Sequence, residues 1–222
     1  GTCVIIGGAD GMLGAATLAS RSAMRCGAGK AKVGWLASAA PALDANMPEI
    51  MMASASDIVA SDAAAMVIGC GLGVSGAAVR VLTTALQRDV PLVVDADALN
   101  LIAQSAELAT FMQRRATRTI ITPHPAEAAR LLGCSTADVQ RDRQRAARDL
   151  AKGYRCVAVL KGAGTVVCDG ADGGALSINR TGNALLATAG TGDVLAGMIG
   201  ALLAQGFDAP TAARLGVCMH GA

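Results

Sequence analysis

The sequence predicts an α/β protein with a mostly parallel central sheet and helices on both of its faces. Short apolar segments alternate along the chain with longer segments of helical periodicity, as in proteins built from strand–helix–strand units. The composition is 53% hydrophobic but only 2% aromatic. The core must therefore consist mainly of Ala, Val, Leu, Ile and Met, which suits close packing of helices on a sheet.

In the first half of the chain, strands and helices alternate. Residues 2–6 are short, apolar and followed by two glycines, which predicts a buried strand, and residues 15–26 predict the helix after it. Residues 75–88 predict another helix, bounded by a glycine-rich segment and by Pro91. Three further apolar segments predict strands, at residues 30–35, 65–68 and 91–95.

The second half continues this alternation. Residues 135–153 predict one long helix, because Ser135 is a suitable N-terminal cap and the many charges that follow can form a solvated face. Those charges lie at positions 138, 141–143, 145, 148, 149 and 152. Further predicted elements are strands at 118–122, 156–160 and 166–168, a turn and strand within 170–179, a helix ending at 132 and a last helix from 208.

Length, charge and cysteine content set limits on function. The 222 residues predict a single domain over residues 1–222, with both ends trimmed or disordered. A net charge of +2 and the lack of any apolar run of membrane-spanning length predict neither nucleic acid nor membrane partners. The seven cysteines form no Cys-x-x-Cys pair and, with two distant histidines, predict no zinc site. Such scattered thiols predict a cytoplasmic protein.

Two glycine-rich segments near the start of the chain do not match a known nucleotide motif. The glycines at 8, 11 and 14 have the wrong spacing for a dinucleotide-binding turn, and the next strand ends without an acidic residue. The segment 27–30 ends in Gly-Lys, but it lacks the earlier glycine and the following Ser or Thr of a phosphate-binding P-loop.

A third glycine-rich segment, Gly190-Thr191-Gly192, precedes an apolar helical stripe. A helix N-terminus attracts anions through its free N–H groups and its dipole, so this segment predicts a phosphate site. Asp193 would lie in the first helical turn, where it could cap the helix or act as a base. The stripe consists of Val194, Leu195, Met198, Ile199, Leu202 and Leu203.

Polar residues follow several predicted strands, at the sheet edge where open α/β proteins bind ligands. Asp95 and Asp97 could bind a ligand or cap a helix. His124 is held between two prolines, which restrict its backbone, and it could be functional or structural. Lys161 enters a glycine-rich hairpin, where it could neutralise phosphates or be solvated.

Together these motifs resemble the ADP- or ATP-dependent NAD(P)H-hydrate dehydratases, a family with the three-layer ribokinase-like fold. The resemblance spans nearly the whole chain. It rests on Gly-Gly and Gly-Ala at 7–8 and 14–15, Gly-Ala-Gly at 27–29, Gly-Leu-Gly at 71–73, Asp-Ala-Asp-Ala-Leu-Asn at 95–100, Thr-Pro-His-Pro-x-Glu at 122–127, Leu-Lys-Gly at 160–162 and Ala-Gly-Thr-Gly-Asp at 189–193. One departure is that Asn183 precedes Ala-Leu, where the family usually has Pro-Gly or Pro-Ala.

The resemblance implies repair of hydrated NADH or NADPH, with ADP or ATP as co-substrate and with Mg²⁺. It implies that Asp193 is the catalytic base and that Gly190, Thr191 and Gly192 form the anion hole. Ala15, Gly73, His124 and Asp193 would bind the hydrate. The nucleotide would contact Lys161, Gly162, Ala163, Gly164, Thr165 and Gly192, while Asp95, Asn100, Glu127 and Asn183 are further candidates. No direct metal ligand is predicted.

Two alternatives stay open at the level of sequence. A kinase of a small alcohol, such as a vitamin precursor, shares the Ala-Gly-Thr-Gly-Asp motif but does not require Thr-Pro-His-Pro. A non-catalytic nucleotide sensor would not require Asp193. The resemblance also implies a homo-oligomer, and an epimerase domain could belong to the full-length protein.

Overall fold

The computed structural model describes residues 1–115, 119–170 and 174–222. In this part of the chain, nine strands form one sheet. They are β1 (Thr2–Gly7), β2 (Lys30–Trp35), β3 (Met51–Ser54), β4 (Ala65–Ile68), β5 (Leu92–Val94), β6 (Thr119–Ile121), β7 (Val157–Leu160), β8 (Val166–Asp169) and β9 (Leu176–Ile178). The spatial order is β3-β2-β1-β4-β5-β6-β7-β8-β9, and the pairings among these strands are parallel except for β7–β8 and β8–β9.

Helices cover both faces of this sheet. They are α1 (Leu13–Arg25), α2 (Ala55–Ile58), α3 (Gly76–Gln87), α4 (Ala96–Gln104), α5 (Ala106–Arg114), α6 (Pro125–Leu132), α7 (Thr136–Arg141), α8 (Arg143–Tyr154), α9 (Thr191–Ala204) and α10 (Ala209–Gly221). One buried cluster joins the sheet to α1, α9 and α10, and a second joins it to α2–α8. The predicted mostly parallel sheet with helices on both faces is confirmed.

The prediction of one long helix over residues 135–153 is wrong. The chain leaves helical geometry at Asp142, where φ is −144° and ψ is 80°. The Asp142 carboxylate accepts a hydrogen bond from the backbone N–H of Arg145 at 2.9 Å and so caps a new helix, α8. Of the predicted strand 118–122, residue 118 lies outside the described residues, as do residues 171–173 of the predicted turn and strand at 170–179.

The parallel strands bring several loops to one edge of the sheet. Their carboxyl ends lead into the turns at 8–12, 69–73, 95–97, 122–124 and 161–165. α9 packs against α1, and its first turn lies at the same edge. Within the described ranges, none of the helices is long and apolar enough to cross a membrane.

Candidate active site

α9 begins at the glycine-rich turn that the sequence singles out. Gly190 has a φ of 89°, a left-handed conformation that glycine adopts without strain, and Thr191 is the first helical residue. The Thr191 hydroxyl donates to the carbonyl oxygens of Leu186 and Thr188, both at 2.9 Å. The first turn of a helix leaves backbone N–H groups without intrahelical acceptors. The turn at the start of α9 can therefore bind an anion.

Asp193 is not the N-terminal cap of α9. The cap position is occupied by Gly190, with no side-chain cap hydrogen bond. The Asp193 carboxylate instead lies in a group with the Cys70 thiol and the Asp95 carboxylate, whose ligand atoms are all within 4.8 Å of one another. Burial raises the pKa of Asp193 above that of an ordinary carboxyl group. A half-buried carboxylate of raised basicity is suited to accept a proton.

The ammonium group of Lys161 lies against the same turn. Its Nζ atom is 2.7 Å from Asp95 Oδ1 and 3.9 Å from Glu127 Oε2. A Cβ atom added to Gly192 would lie only 3.4 Å from this Nζ. Burial by itself would lower the pKa of Lys161, but Asp95 and Glu127 raise it above the usual value. A fixed positive charge therefore lies beside the anion-binding turn.

A cavity of about 680 Å³ opens on one side of this turn. The predicted nucleotide contacts 161–165 and Gly192 all line it, as do Thr191 and Asn183. Its wall also contains the apolar side chains of Ile178, Leu186, Leu195 and Val217. The cavity thus combines an apolar wall with a cationic end at a helix N-terminus, and these are the two environments that an adenine nucleotide needs.

Two residues of this region were missed by the sequence analysis. Arg143 was assigned to a solvated face, which is wrong: it is half-buried, and its Nη2 donates to the carbonyl oxygens of Leu160 (3.1 Å) and Lys161 (3.3 Å). His220 lines the cavity, where burial lowers the pKa of its imidazole and the backbone of Thr191 opposes that shift. Both partners are distant in sequence, so no local pattern could have identified these contacts.

The predicted hydrate contacts lie around the turns on the other side of Asp193. Ala15 packs close to Gly71, since a Cβ atom added to that glycine would be 3.1 Å from the Ala15 Cβ. The Gly73 N–H donates to Asp97 Oδ2 at 2.8 Å. This bond joins the 69–73 turn to the first turn of α4, which follows β5. The neighbouring strand, β6, leads into His124.

His124 is the N-terminal cap of α6. Its Nδ1 accepts from the Ala126 N–H at 3.1 Å, and the backbone N–H of His124 donates to Glu127 Oε2 at 2.7 Å. Burial and the charge of Lys161 lower the pKa of His124. The imidazole is therefore neutral near pH 7, and the acceptor role of Nδ1 assigns its proton to Nε2. This half-exposed Nε2 lies 3.3 Å from Glu127 Oε1.

The two candidate asparagines have different surroundings. Asn100 Oδ1 accepts from Arg130 Nη1 at 2.9 Å, so it links α4 to α6. Asn183 Oδ1 accepts from the Leu185 N–H at 2.9 Å, at the start of a 3₁₀ turn beside the cavity. Asn183 thus shapes the cavity wall, whereas the observed role of Asn100 is to connect helices.

The group of Cys70, Asp95 and Asp193 does not fit Mg²⁺ as a set of direct ligands. Mg²⁺ requires oxygen ligands, and a thiol is unsuitable. Asp95 already accepts from Lys161. An Mg²⁺ ion accompanying a nucleotide would be held through phosphate oxygens and water, so the absence of direct protein ligands stays a prediction.

Comparison with known proteins places this chain in a family. A family model described as NAD(P)H-hydrate dehydratase matches residues 3–222. An ADP-dependent (S)-NAD(P)H-hydrate dehydratase of Neisseria meningitidis serogroup B is 45% identical over 226 residues, which cover 100% of this chain and 75% of that protein. Several relatives are bifunctional NAD(P)H-hydrate repair enzymes, including one from Escherichia coli, and the chain spans less than half of their length.

Solved structures agree with this assignment. An ADP/ATP-dependent NAD(P)H-hydrate dehydratase from Bacillus subtilis, co-crystallised with ATP and Mg²⁺, matches with a TM-score of 0.80 and 31% identity over 100% of this chain and 78% of that one. A ribokinase-like superfamily protein from Enterococcus faecalis has a TM-score of 0.83 and 26% identity, covering 100% and 77%. The ribokinase-like fold is thus confirmed, and the chain belongs to the NAD(P)H-hydrate dehydratase family.

Proposed function

We propose that this chain uses ADP or ATP to dehydrate the S epimer of hydrated NADH or NADPH and thereby regenerates the reduced cofactor. The observation that carries this proposal is the position of Asp193. Asp193 directly follows Thr191 and Gly192, which line the cavity, and its carboxylate lies close to Cys70 in the 69–73 turn, which is expected to bind the hydrate. The fixed charge of Lys161 lies beside the same helix N-terminus.

The first step is phosphoryl transfer to the hydroxyl group of the hydrate. Asp193 accepts the hydroxyl proton while the hydroxyl oxygen attacks the terminal phosphorus of the nucleotide. A new O–P bond forms, and the bond from that phosphorus to the bridging oxygen breaks, which releases AMP or ADP. The N–H groups of the 190–192 turn and the Lys161 ammonium stabilise the negative charge of the transferred group.

The second step is elimination. The C–O bond of the phosphorylated ring breaks, and inorganic phosphate leaves with the bonding electrons. The lone pair of the ring nitrogen forms a C=N bond, and loss of a proton from the neighbouring carbon restores the ring double bond. The ring supplies the electrons, so the protein has only to position it and exclude competing water.

We assign the remaining roles from position. Residues 161–165 and Gly192 contact the nucleotide, because they line the cavity. Ala15, Gly73 and His124 contact the hydrate, with the Nε2–H of His124 as a hydrogen-bond donor. When bound with the nucleotide, Mg²⁺ supplies charge neutralisation at the phosphates.

Several broader properties belong to the same proposal. Residues 1–222 act as one catalytic domain, and the chain works as a homo-oligomer. The described cysteines are all free, which supports a reducing compartment such as the cytoplasm. The bifunctional relatives support an epimerase domain as the partner activity in a longer protein.

The test is incubation with hydrated NADH, Mg²⁺ and either ADP or ATP. Near-ultraviolet absorbance and inorganic phosphate should rise together in equal amounts, and only when nucleotide is present. A kinase of a small alcohol would instead leave a stable phosphorylated alcohol and regenerate no cofactor. A sensor would bind nucleotide without turnover. Either of these results would overturn the proposal.

A further inference from the structure

Cys70 is a fully buried residue that none of the roles above explains. It lies in the 69–73 turn between β4 and α3. The glycines on either side of it, Gly69 and Gly71, have φ values of 125° and 60°, which only glycine adopts readily. The Cys70 carbonyl oxygen accepts from the Gly8 N–H at 3.1 Å. The backbone on both sides of Cys70 is therefore held in place, and its side chain is fully buried.

The thiol is directed at the proposed catalytic base. Its Sγ atom lies within 4.8 Å of carboxylate oxygens of both Asp193 and Asp95. Asp95 is already paired with Lys161, whose Nζ is 2.7 Å away. Among the described residues, the ion pairs of Lys161 are with Asp95 and Glu127, not with Asp193. The thiol is thus a neutral donor close to the Asp193 carboxylate.

The protonation states fit this arrangement. Burial, reinforced by the charges of Asp95 and Asp193, raises the pKa of Cys70 well above its usual value, so the thiol keeps its proton throughout the working range. The groups that act on the pKa of Asp193 are Cys70, Asp95, Lys161 and Asp97. Of these, Cys70 and Lys161 lower that pKa and oppose the effect of burial.

A weak donor is well suited to this position. A base needs one oxygen free for the substrate hydroxyl and the other held in place. A cation in direct contact would hold the carboxylate but strongly reduce its basicity, whereas a thiol is only a weak hydrogen-bond donor. It can orient Asp193 and leave most of its basicity intact.

We propose that Cys70 is a positioning residue whose thiol donates to one carboxylate oxygen of Asp193 and leaves the other oxygen directed at the hydroxyl group to be phosphorylated. This inference rests on the proposed function for its catalytic consequence. The contact itself is a property of the folded chain and can be tested without substrate.

The test compares Cys70→Ala and Cys70→Ser with Cys3→Ala. Cys3 is also fully buried, in β1, so its truncation reproduces the loss of a buried sulfur away from the carboxylates. Cys70→Ala should lower kcat about 5- to 10-fold, the range expected for one weak hydrogen bond, while KM for the nucleotide changes less than about twofold. Cys70→Ser keeps a donor and should retain most of kcat, and Cys3→Ala should match the wild type.

The pH dependence of kcat would not change if Cys70 had only a structural role. Without the thiol donor, the pKa of Asp193 rises, and a base must be ionised to act. The acidic limb of the kcat profile should therefore move to higher pH in Cys70→Ala and stay near the wild-type position in Cys70→Ser. Equal losses of kcat in Cys70→Ala and Cys3→Ala with an unmoved limb would overturn the inference.

A substrate-free measurement separates this inference from the proposed function. Carbon-13 NMR titration of the Asp193 carboxyl group, assigned with Asp193→Asn, should show a higher pKa in Cys70→Ala than in the wild type. An unchanged titration would overturn the role of Cys70 whatever the reaction is. A shifted titration in a protein that never acts on hydrated NADH would instead overturn the proposed function and leave the contact standing.

Discussion

The glycine-rich turns before α1 and before α9 lead into two helices that pack against each other. In the turn before α1, Gly8 lies against the ring of Trp35 and the Ala9 N–H donates to the Gly71 carbonyl oxygen at 2.7 Å, whereas Gly11 and Gly14 face open space. The first turn of α1 contains no acidic residue. The turn before α9 instead faces an open cavity, with Lys161 beside it and Asp193 in the first helical turn.

This difference shows what a glycine-rich turn needs in order to bind phosphate. Both turns contain left-handed glycines and both precede a helix N-terminus. In the first, Trp35 packs against Gly8, while Gly11 and Gly14 face open space. In the second, Leu18 of α1 packs against Gly190, and the Lys161 ammonium lies beside Gly192 where the cavity opens. The fixed charge distinguishes the predicted phosphate site, and neither the glycine pattern nor open space does so by itself.

Of the substitutions that test this comparison of the two turns, Lys161→Ala should have the largest effect. A charge-assisted hydrogen bond contributes about 1.5–3 kcal/mol, so nucleotide affinity should fall roughly 10- to 150-fold. Calorimetric titration with ADP and ATP measures this directly on folded protein. The control is Lys152→Ala, which removes an exposed lysine from α8. If the two variants bind both nucleotides equally well, Lys161 is not part of the phosphate site.

Alanine at a left-handed glycine provides the matched comparison between the two turns. Gly11→Ala (φ 78°) should lose about 1–2 kcal/mol of stability, because a Cβ atom is strained in this conformation, and Gly190→Ala (φ 89°) should lose at least as much, because its Cβ would also lie 2.6 Å from Leu18 Cδ1. Only Gly190→Ala should also lower turnover per folded molecule, by about tenfold, because it displaces the turn whose N–H groups face the transferred phosphoryl group. Similar turnover in the two variants would remove the distinction drawn between the turns.

Arg143→Ala should have a smaller effect. Its guanidinium holds the carbonyl oxygens of the 160–164 turn, so its loss should loosen the segment that presents Lys161. We expect nucleotide affinity to fall about 3- to 10-fold, as for the loss of one or two hydrogen bonds. Arg145, exposed on the same helix and paired with Asp149, is the control. A loss of affinity in Arg145→Ala as large as in Arg143→Ala would contradict this role.

Features that depend on local sequence were predicted well. The strand β2 has the predicted bounds, and the last helix begins next to Asp208, which caps it, close to the predicted start at 208. The break at Asp142 was missed because its carboxylate can either continue a charged helical face or cap a new helix, and periodicity does not distinguish these. The strand β8 was identified without its direction, which is opposite to that of its neighbours β7 and β9 and depends on the pairing partners.

In the candidate site, too, only the features with a local sequence signal could be predicted. Lys161 and the 190–192 turn could be named separately, because each has a local pattern. Their approach to each other, and the contacts of Cys70 with Asp193, join segments far apart in sequence. Such contacts depend on the order of strands in the sheet and on how α9 packs against it, and a single sequence does not encode these in any short motif.

The most direct test of the central claim, that Asp193 is the base, measures melting temperature and turnover of Asp193→Asn on one preparation. A well-placed base contributes roughly 10²–10⁴-fold to the rate, so turnover of hydrated NADH should fall by that factor while nucleotide affinity and melting temperature stay near wild type. A residue that only stabilises the helix would show the opposite: a stability loss of about 1 kcal/mol or less, with near-normal turnover per folded molecule. That second result would contradict the mechanism.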